Sequence, residues 1–401
     1  MVHMQIKRCY FNELYGEIKE PEISILLGAR QVGKTTLLEQ LHSKATAEGF
    51  KTKFFNLESS DDLMELSGDN KGVVRTLMNS GDVVFIDEFH YLKNASKIFK
   101  EIYDSKKRVK IYASGSSSLE IHKHLKESLA GRFRTTMIFP LNREELRQSS
   151  SGGLDDFLKW GGMPGLLHRT SDEDKMDLLR NIVSTYITKD IKAMIREENV
   201  RAFNQMIYLL AQNQGSLAVM ANIANETGIS QTTVADYLEI LSQTYVCHQV
   251  HSYSTNLANE LKKSRKCFLF DVGIRNSLLK DFRKPGERDD KGVLYETFVF
   301  LGMVPQLQPN MEVRFWRTKK GEEVDFVLIK NRVPVPVEVK ASTQEIAVPS
   351  GMKAFLRAYP KAPFGIVFSG APKKTIEHEG KPIHFMRWDE SEDIEYLRSV
   401  L

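Results

Sequence analysis

The chain has 401 residues, of which 41% are hydrophobic and 27% are charged. This length exceeds what one ordinary hydrophobic core supports, so we expect two or three domains. The longest apolar runs, at residues 23–27 and 83–86, are far too short to cross a bilayer, so no membrane partner is expected. The net charge of +4 permits nucleic-acid binding without arguing for it.

The sequence carries no signal that points away from the cytoplasm. Residues 1–7 lack the apolar core of a signal peptide. The three cysteines, Cys9, Cys247 and Cys267, have neither metal-ligand nor paired spacing. We therefore expect reduced thiols in a cytoplasmic protein.

The most specific motif begins with the apolar run at residues 23–27, which suits a buried strand. Gly28, four residues, Gly33, Lys34 and Thr35 follow, and then a helix-like stretch. This is the phosphate-binding pattern GxxxxGK[ST] in its strand–loop–helix setting. Lys34 would reach the β- and γ-phosphates of a nucleotide, and the Thr35 hydroxyl would bind Mg²⁺. The predicted nucleotide contacts are Gly28, Ala29, Arg30, Gln31, Val32, Gly33, Lys34, Thr35 and Thr36.

A second apolar run, at residues 82–86, ends in Asp87 and Glu88. The carboxyl end of a parallel strand opens on the ligand crevice. Asp87 is therefore expected to hold Mg²⁺, and Glu88 to orient and polarise the attacking water. The alternative is that both acids merely stabilise the first turn of a following helix at residues 89–99.

The next strand-like run, from Val109, ends in small polar residues, among which Ser116 is the candidate for sensing the γ-phosphate. A serine-rich helix cap is an equally good interpretation. Arg132 precedes a predicted strand at residues 135–139. It is the candidate arginine finger, acting from the same or a neighbouring subunit, with a surface salt bridge as the alternative.

These motifs resemble a known family. Residues 23–139 resemble an AAA-type ATPase, and GARQVGKTTLL, VVFIDEFHYL, ASGSSS, LAGRF and FPLNREEL resemble those of a prokaryotic AAA family with a C-terminal domain related to nucleases. WGGMPGLL and FLFDVGIRNSLL extend the resemblance over most of the chain. It implies ATP rather than GTP, with Lys34 and Thr35 as phosphate and magnesium contacts. It also implies Asp87 and Glu88 as the acidic pair, and a possible arginine finger at Arg132.

The remaining chain divides at composition breaks. The expected domains are an ATPase core at 1–148, a helical linker or lid at 149–200, a winged-helix-like domain at 201–285 and a nuclease-like domain at 286–401. In the second of the two helix-turn-helix helices, at 231–241, Asp236 and Glu239 are present but no lysine or arginine. Such a helix is poorly suited to phosphate contact. A lid or oligomer contact and a nucleic-acid contact through the basic residues 262–266 both remain open.

The last domain contains a second candidate site. Asp325 and Glu338 lie on predicted paired strands, and Lys340 is two residues beyond Glu338, on the same face. With Glu296 from a preceding helix, they resemble the PD-(D/E)xK nuclease signature, which implies Mg²⁺ at Asp325 and Glu338. The alternative is an inherited fold that binds a partner and cuts nothing.

The predicted fold class is α/β: an AAA-type P-loop parallel sheet, then a helical or winged-helix domain, then an α/β nuclease-like domain. Two functions are consistent with it. One is a Mg²⁺-dependent ATPase, acting as a switch or motor coupled to DNA or RNA. The other is a nucleotide-regulated ATPase that binds a protein partner or forms a homo-oligomer. The cofactors expected in both cases are ATP and Mg²⁺.

Overall fold

The computed structural model describes residues 6–105, 108–115, 131–149, 152–190, 195, 199–254, 265–341 and 345–392. Two compact units are present. Unit 1 comprises residues 1–141 and 243–246, and unit 2 comprises 142–242 and 247–401. Ser116, the basic residues 262–264 and nearly all of a predicted final helix at 392–400 lie outside the described residues.

Unit 1 is built on five parallel strands in the order β2-β3-β4-β1-β5. The strands β1, β3 and β4 are buried along their whole length, as expected of continuous aliphatic runs covered on both faces. The elements in chain order are α1 (Phe11–Gly16), β1 (Ile23–Leu27), α2 (Lys34–Ala47), β2 (Thr52–Asn56), α3 (Ser60–Glu65), α4 (Asn70–Asn79), β3 (Val83–Asp87), α5 (Ala95–Tyr103), β4 (Lys110–Gly115) and β5 (Phe133–Met137).

The core of unit 1 joins the sheet to its helices. Val73, Val74 and Leu77 of α4, and Ile98, Phe99 and Ile102 of α5, pack with Ile86 and the other aliphatic strand residues. Asp69 caps α4 by accepting a hydrogen bond from the Gly72 backbone N–H at 3.0 Å. The short helix α3 was not predicted, because its segment is polar.

Unit 2 begins with helices and a small antiparallel sheet, β6-β8-β7. Its first elements are α6 (Arg143–Arg147), α7 (Leu154–Trp160), α8 (Asp172–Ile182), α9 (Val200–Gln212), β6 (Leu217–Ala218), α10 (Met220–Thr227), α11 (Gln231–Gln243), β7 (Cys247–Val250), β8 (Arg265–Leu269) and α12 (Val272–Leu279). The helix α8 continues as a π-helical stretch, Val183–Asp190, within the predicted helical tract at 174–195.

The rest of unit 2 is a six-stranded mixed sheet in the order β13-β14-β12-β11-β10-β9. It follows α13 (Lys291–Met303) and consists of β9 (Met311–Arg317), β10 (Glu323–Lys330), β11 (Val333–Val339), α14 (Ser350–Ala358), β12 (Gly365–Ser369), β13 (Lys374–His378) and β14 (Lys381–Arg387). The strands β9, β10 and β11 pair antiparallel, and β11, β12 and β14 pair parallel. Two of these elements, α14 and β13, were not predicted.

The α/β class is therefore confirmed: a parallel five-stranded sheet is followed by a helical region and a mixed sheet. Among the described residues, no helix combines the length and the apolar character needed to span a bilayer.

Candidate nucleotide site and C-terminal acidic cluster

The loop between β1 and α2 has the backbone that its glycines predict. A Cβ atom on Gly28 would lie 2.3 Å from the carbonyl oxygen of Ile138, so no side chain fits there. Gly33 has φ of 94° and immediately precedes α2, which begins at Lys34. Positive φ is accessible to glycine at little cost. The loop therefore turns directly into a helix N-terminus, whose N–H groups suit an anion.

Lys34 lies inside this loop. Lys34 is only 5% exposed. Its Nζ atom donates to the carbonyl oxygens of Gly28 at 3.0 Å and Ala29 at 2.8 Å. Burial lowers the pKa of Lys34 to about 8, although the carboxylates of Glu88 and Asp87 oppose the shift. An arriving phosphate would stabilise the charged ammonium.

Two hydroxyl groups converge on Asp87, at the end of β3. Thr35, the second residue of α2, donates from Oγ1 to Asp87 Oδ2 at 2.7 Å. Ser114, near the end of β4, donates from Oγ to Asp87 Oδ1. These hydrogen bonds join the ends of β3 and β4, which are neighbours in the sheet, to the first turn of α2. The hydroxyl of Thr35 and the carboxylate of Asp87 are hard oxygen ligands of the kind that Mg²⁺ prefers, and they fit such an ion.

Glu88 follows β3 in a left-handed conformation, with φ of 53° and ψ of 48°. Its backbone N–H points to Ser114 Oγ at 3.4 Å, and its carboxylate Oε2 lies 3.1 Å from His90 Nδ1. The predicted helix at residues 89–99 is instead a 3₁₀ turn, Phe89–Tyr91, followed by α5. Asp87 therefore lies within β3, and neither acid stands in the first turn of an α-helix.

The other predicted loop contacts have different surroundings. Ala29 and Val32 are buried, so they can offer a nucleotide only their backbone groups. Arg30 is partly exposed, and Gln31 and Thr36 are exposed. Gln31 is also left-handed, with φ of 62°.

Arg8 was missed by the sequence analysis. It is buried, and it donates from Nη1 to the carbonyl oxygen of Val32 at 2.8 Å and from Nη2 to that of Phe139 at 2.6 Å. Arg8 thus ties the phosphate loop to the segment after β5. No motif marks it, because it lies outside the loop in a short amphipathic segment.

The structure does not bring Arg132 to the phosphate loop of its own chain. Its carbonyl oxygen accepts a hydrogen bond from the backbone N–H of Ile23, at the first residue of β1. The loop follows the other end of this strand, roughly 13 Å away at 3.3 Å per residue. The Arg132 guanidinium pairs with Asp104, with Nε 2.9 Å from Oδ1. Only a second subunit could use it as a finger.

In unit 2 the structure brings together three of the four predicted nuclease-like residues. The carboxyl of Asp325 is close enough to act on that of Glu338, and Lys340 Nζ lies 3.3 Å from Glu338 Oε2. Asp325 Oδ2 also accepts the Val339 backbone N–H at 2.8 Å. The pairing of β10 with β9 shifts register between Val324 and Val327, at the position of Asp325. Such irregularities redirect side chains and are common beside active sites.

Glu296 has a different partner, which no motif predicted. The ammonium of Lys266, a residue of β8 whose side chain is 2% exposed, lies 3.2 Å from Glu296 Oε1 and 2.8 Å from Glu323 Oε1. Burial alone would lower the pKa of Lys266, but the carboxylates of Glu296, Asp325 and Glu323 outweigh it and raise the pKa. Lys266 is therefore a fixed internal cation within this acidic cluster.

Two acids of the cluster, Glu338 and Glu296, resist ionisation. Burial, and then the charge of Asp325, raises the pKa of Glu338 to about 9. Burial also raises the pKa of Glu296 to about 8, against the opposing charge of Lys266. Within the described ranges, no group of three or more histidine, cysteine, aspartate or glutamate side chains is arranged to hold a metal ion.

Comparison with known families agrees with the architecture of unit 1. Residues 20–147 match the model described as "AAA domain". Residues 152–284 and 291–385 each match a domain of unknown function, DUF8612 and DUF4143 respectively. Residues 20–147 have the AAA-type P-loop ATPase fold. We refer to them below as the AAA domain.

Relatives of this chain occur in both bacteria and archaea. An uncharacterized protein of Mycobacterium tuberculosis is 25% identical over 351 residues, which cover 87% of this chain and 76% of the relative. An uncharacterized protein of Methanocaldococcus jannaschii is 25% identical over 362 residues, which cover 83% of this chain and 78% of that protein.

Two solved structures show weak similarity to part of this chain. AMPPCP-bound DnaA from Aquifex aeolicus matches with a TM-score of 0.30 and 15% identity, over 60% of this chain and 90% of its own. Pif1 helicase from Candida albicans matches with a TM-score of 0.27 and 12% identity, over 45% of this chain and 48% of the helicase chain.

Proposed function

We propose that the AAA domain binds ATP and hydrolyses it with Mg²⁺. This proposal rests on three side chains at the junction of the phosphate loop, α2 and β3. Lys34 folds back onto the loop carbonyls, and Thr35 donates a hydrogen bond to Asp87. Glu88 adjoins this pair at the end of β3. These are the groups that nucleotide hydrolysis requires, and the AAA family match supports ATP as the nucleotide.

Each residue has a distinct role in this proposal. Backbone N–H groups of residues 28–36 surround the phosphates, and Lys34 neutralises the charge on the β- and γ-phosphates. Thr35 and Asp87 would hold Mg²⁺, which supplies charge stabilisation to the phosphates when it is bound. Glu88 orients and polarises the attacking water, and Ser114 holds the carboxylate of Asp87 in place.

Loss of ATP binding in Lys34→Ala tests the phosphate loop. Lys44, on the same helix, is an exposed residue that pairs with Glu48 one turn away and lies over the ring of Tyr15, far from the loop, so Lys44→Ala is a matched control. We expect Lys34→Ala to lose most of its affinity for a fluorescent ATP analogue and Lys44→Ala to keep it. Equal affinities for the two variants would contradict the assignment.

We propose as a second function that the C-terminal cluster processes nucleic acid. The pair Asp325–Glu338 beside Lys340, at a strand irregularity, is the observation that favours it. Asp325 and Glu338 would hold Mg²⁺, which lowers the pKa of a bound water when present. ATP turnover would then control access of DNA or RNA to this site.

The winged-helix-like region has a supporting role in this proposal. The exposed face of α11 carries Asp236 and Glu239, which disfavours phosphate contact. We therefore assign the region of α9 to α11 and the β6-β8-β7 sheet to a lid or an oligomer contact. The proposed domain bounds remain 1–148, 149–200, 201–285 and 286–401.

The alternative to nucleic-acid processing is an inactive binding module in a nucleotide-regulated protein-interaction ATPase. Lys266 favours this alternative, because a fixed ammonium neutralises part of the acidic cluster. Cleavage of DNA or RNA with Mg²⁺ or Mn²⁺, lost in Asp325→Ala, would support processing. No cleavage by the wild type with any metal or nucleotide, and ATP turnover that responds to a protein partner but not to nucleic acid, would support the alternative.

A further inference from the structure

The first observation concerns the backbone at Glu88. Residues other than glycine and asparagine rarely adopt a left-handed conformation, and where they do the surroundings usually hold them there. At Glu88 the backbone N–H contacts Ser114 Oγ, and this contact helps to hold the conformation. The same hydroxyl donates to Asp87. The direction of the Glu88 side chain is therefore set by the strand ends that form the nucleotide site.

The second observation concerns the far end of that side chain. Its Oε2 atom lies 3.1 Å from Nδ1 of His90, and both side chains are largely shielded from water. Nδ1 has no hydrogen-bond partner among the described residues, so this is a close polar contact without hydrogen-bond geometry. The turn that carries His90 is anchored on one side by Phe89, which is buried and packs on Phe99 with ring centroids 5.7 Å apart. On the other side the His90 ring packs on Tyr91 at 4.3 Å. The imidazole is thus held in place independently of Glu88.

The third observation is that Lys34 competes for the same carboxylate. The charge of Glu88 acts on the buried ammonium of Lys34, yet Lys34 donates to the carbonyl oxygens of Gly28 and Ala29. A direct Glu88–Lys34 ion pair would remove both the phosphate-binding cation and the water-activating carboxylate from use.

We propose that His90 is a positioning residue for ATP hydrolysis, which holds the Glu88 carboxylate toward the attacking water and away from Lys34. This inference rests on the proposed ATPase function. It adds to that function a residue that no family match and no sequence motif assigned. His90 touches neither phosphate nor metal in this proposal and acts only through Glu88.

The test compares His90→Ala, His90→Asn and His90→Gln by steady-state ATP hydrolysis and by binding of a fluorescent ATP analogue. Asparagine places its amide nitrogen near the position of Nδ1, whereas glutamine places it near that of Nε2. We expect His90→Ala and His90→Gln to lower kcat roughly 10- to 100-fold, the effect of misplacing a catalytic group by about 1 Å. KM and nucleotide affinity should stay unchanged, and His90→Asn should recover most of kcat.

Several outcomes would overturn the inference. One is a His90→Ala variant whose kcat equals that of the wild type. Another is a His90→Ala variant whose affinity for the ATP analogue falls as much as its kcat. The third is an equal kcat for His90→Asn and His90→Gln. Should His90→Ala fail to fold, the Asn and Gln variants decide the matter by themselves. If the wild type turns over ATP and Glu88→Gln does not, an unaffected His90→Ala contradicts this inference alone. Absence of turnover in the wild type contradicts the proposed function and this inference with it.

Discussion

Lys34 shows how a functional residue can reduce the stability of its own domain. Its ordinary pKa of 10.5 falls to about 8 in the folded protein because burial disfavours the charged ammonium. The unfolded chain therefore binds more protons between these two values, so this residue's contribution to the free energy of unfolding rises with pH across that window. Below pH 8 the buried charge is a net cost to the fold.

We therefore predict that Lys34→Met stabilises the nucleotide-free protein at pH 7. The gain is expected to be about 1 kcal/mol, less than the pKa shift implies, because the hydrogen bonds to Gly28 and Ala29 are lost. It should shrink as the pH is raised from 7 to 10. Calorimetric unfolding at several pH values measures it, and a variant that is less stable than the wild type at pH 7 would contradict the prediction.

Single residues also show where sequence reasoning stops. The loop glycines, Lys34, Thr35, Asp87 and Glu88 follow from local motifs, because each lies in a strand–loop–helix segment or at the end of a strand. Arg8 and Lys266 act through contacts that only the tertiary fold creates. Arg132 could have been placed better from the sequence, because residues that precede a parallel strand lie at the edge of the sheet opposite the ligand crevice.

At the scale of elements, continuous aliphatic runs predicted the buried strands β1 and β3 of the five-stranded sheet, whereas in the six-stranded sheet β13 was missed. The unpredicted helix α14 packs Met352, Phe355 and Leu356 into the core of the C-terminal sheet. It also approaches β10 very closely, since a Cβ atom on Gly351 would lie 1.7 Å from the carbonyl oxygen of Glu323 and 3.2 Å from Glu338 Oε1. This glycine is needed for packing and not for its backbone freedom.

Two glycines in helices should therefore respond oppositely to alanine. Gly292, in α13, has open space around its Cβ position, so Gly292→Ala is expected to stabilise unit 2 by about 0.5–1 kcal/mol through helix propensity. Gly351→Ala, by contrast, should destabilise it by about 1–3 kcal/mol or more through the collision with β10. All three tryptophans, Trp160, Trp316 and Trp388, lie in unit 2, so tryptophan fluorescence during denaturant unfolding measures both variants. Changes of the same sign in both would contradict the account of α14.

At the scale of the whole molecule, the chain joins an AAA domain to two further domains, of which the last carries its own acidic cluster. The distribution of charge within the acidic cluster was not predictable from the sequence. Lys266 lies in β8, within residues 152–284, which match the first domain of unknown function. Its partners Glu296 and Glu323 lie within residues 291–385, which match the second. These two segments therefore form one electrostatic unit.

ATP hydrolysis by wild-type protein and Glu88→Gln, measured with Mg²⁺ alongside ATP affinity, tests the central claim most directly. The amide keeps the size of Glu88 but cannot act as a base. We expect Glu88→Gln to bind ATP as the wild type does and to turn it over roughly 10²–10⁴ times more slowly. Wild-type protein that binds ATP without hydrolysing it, or a Glu88→Gln variant with undiminished turnover, would contradict the assignment of this site.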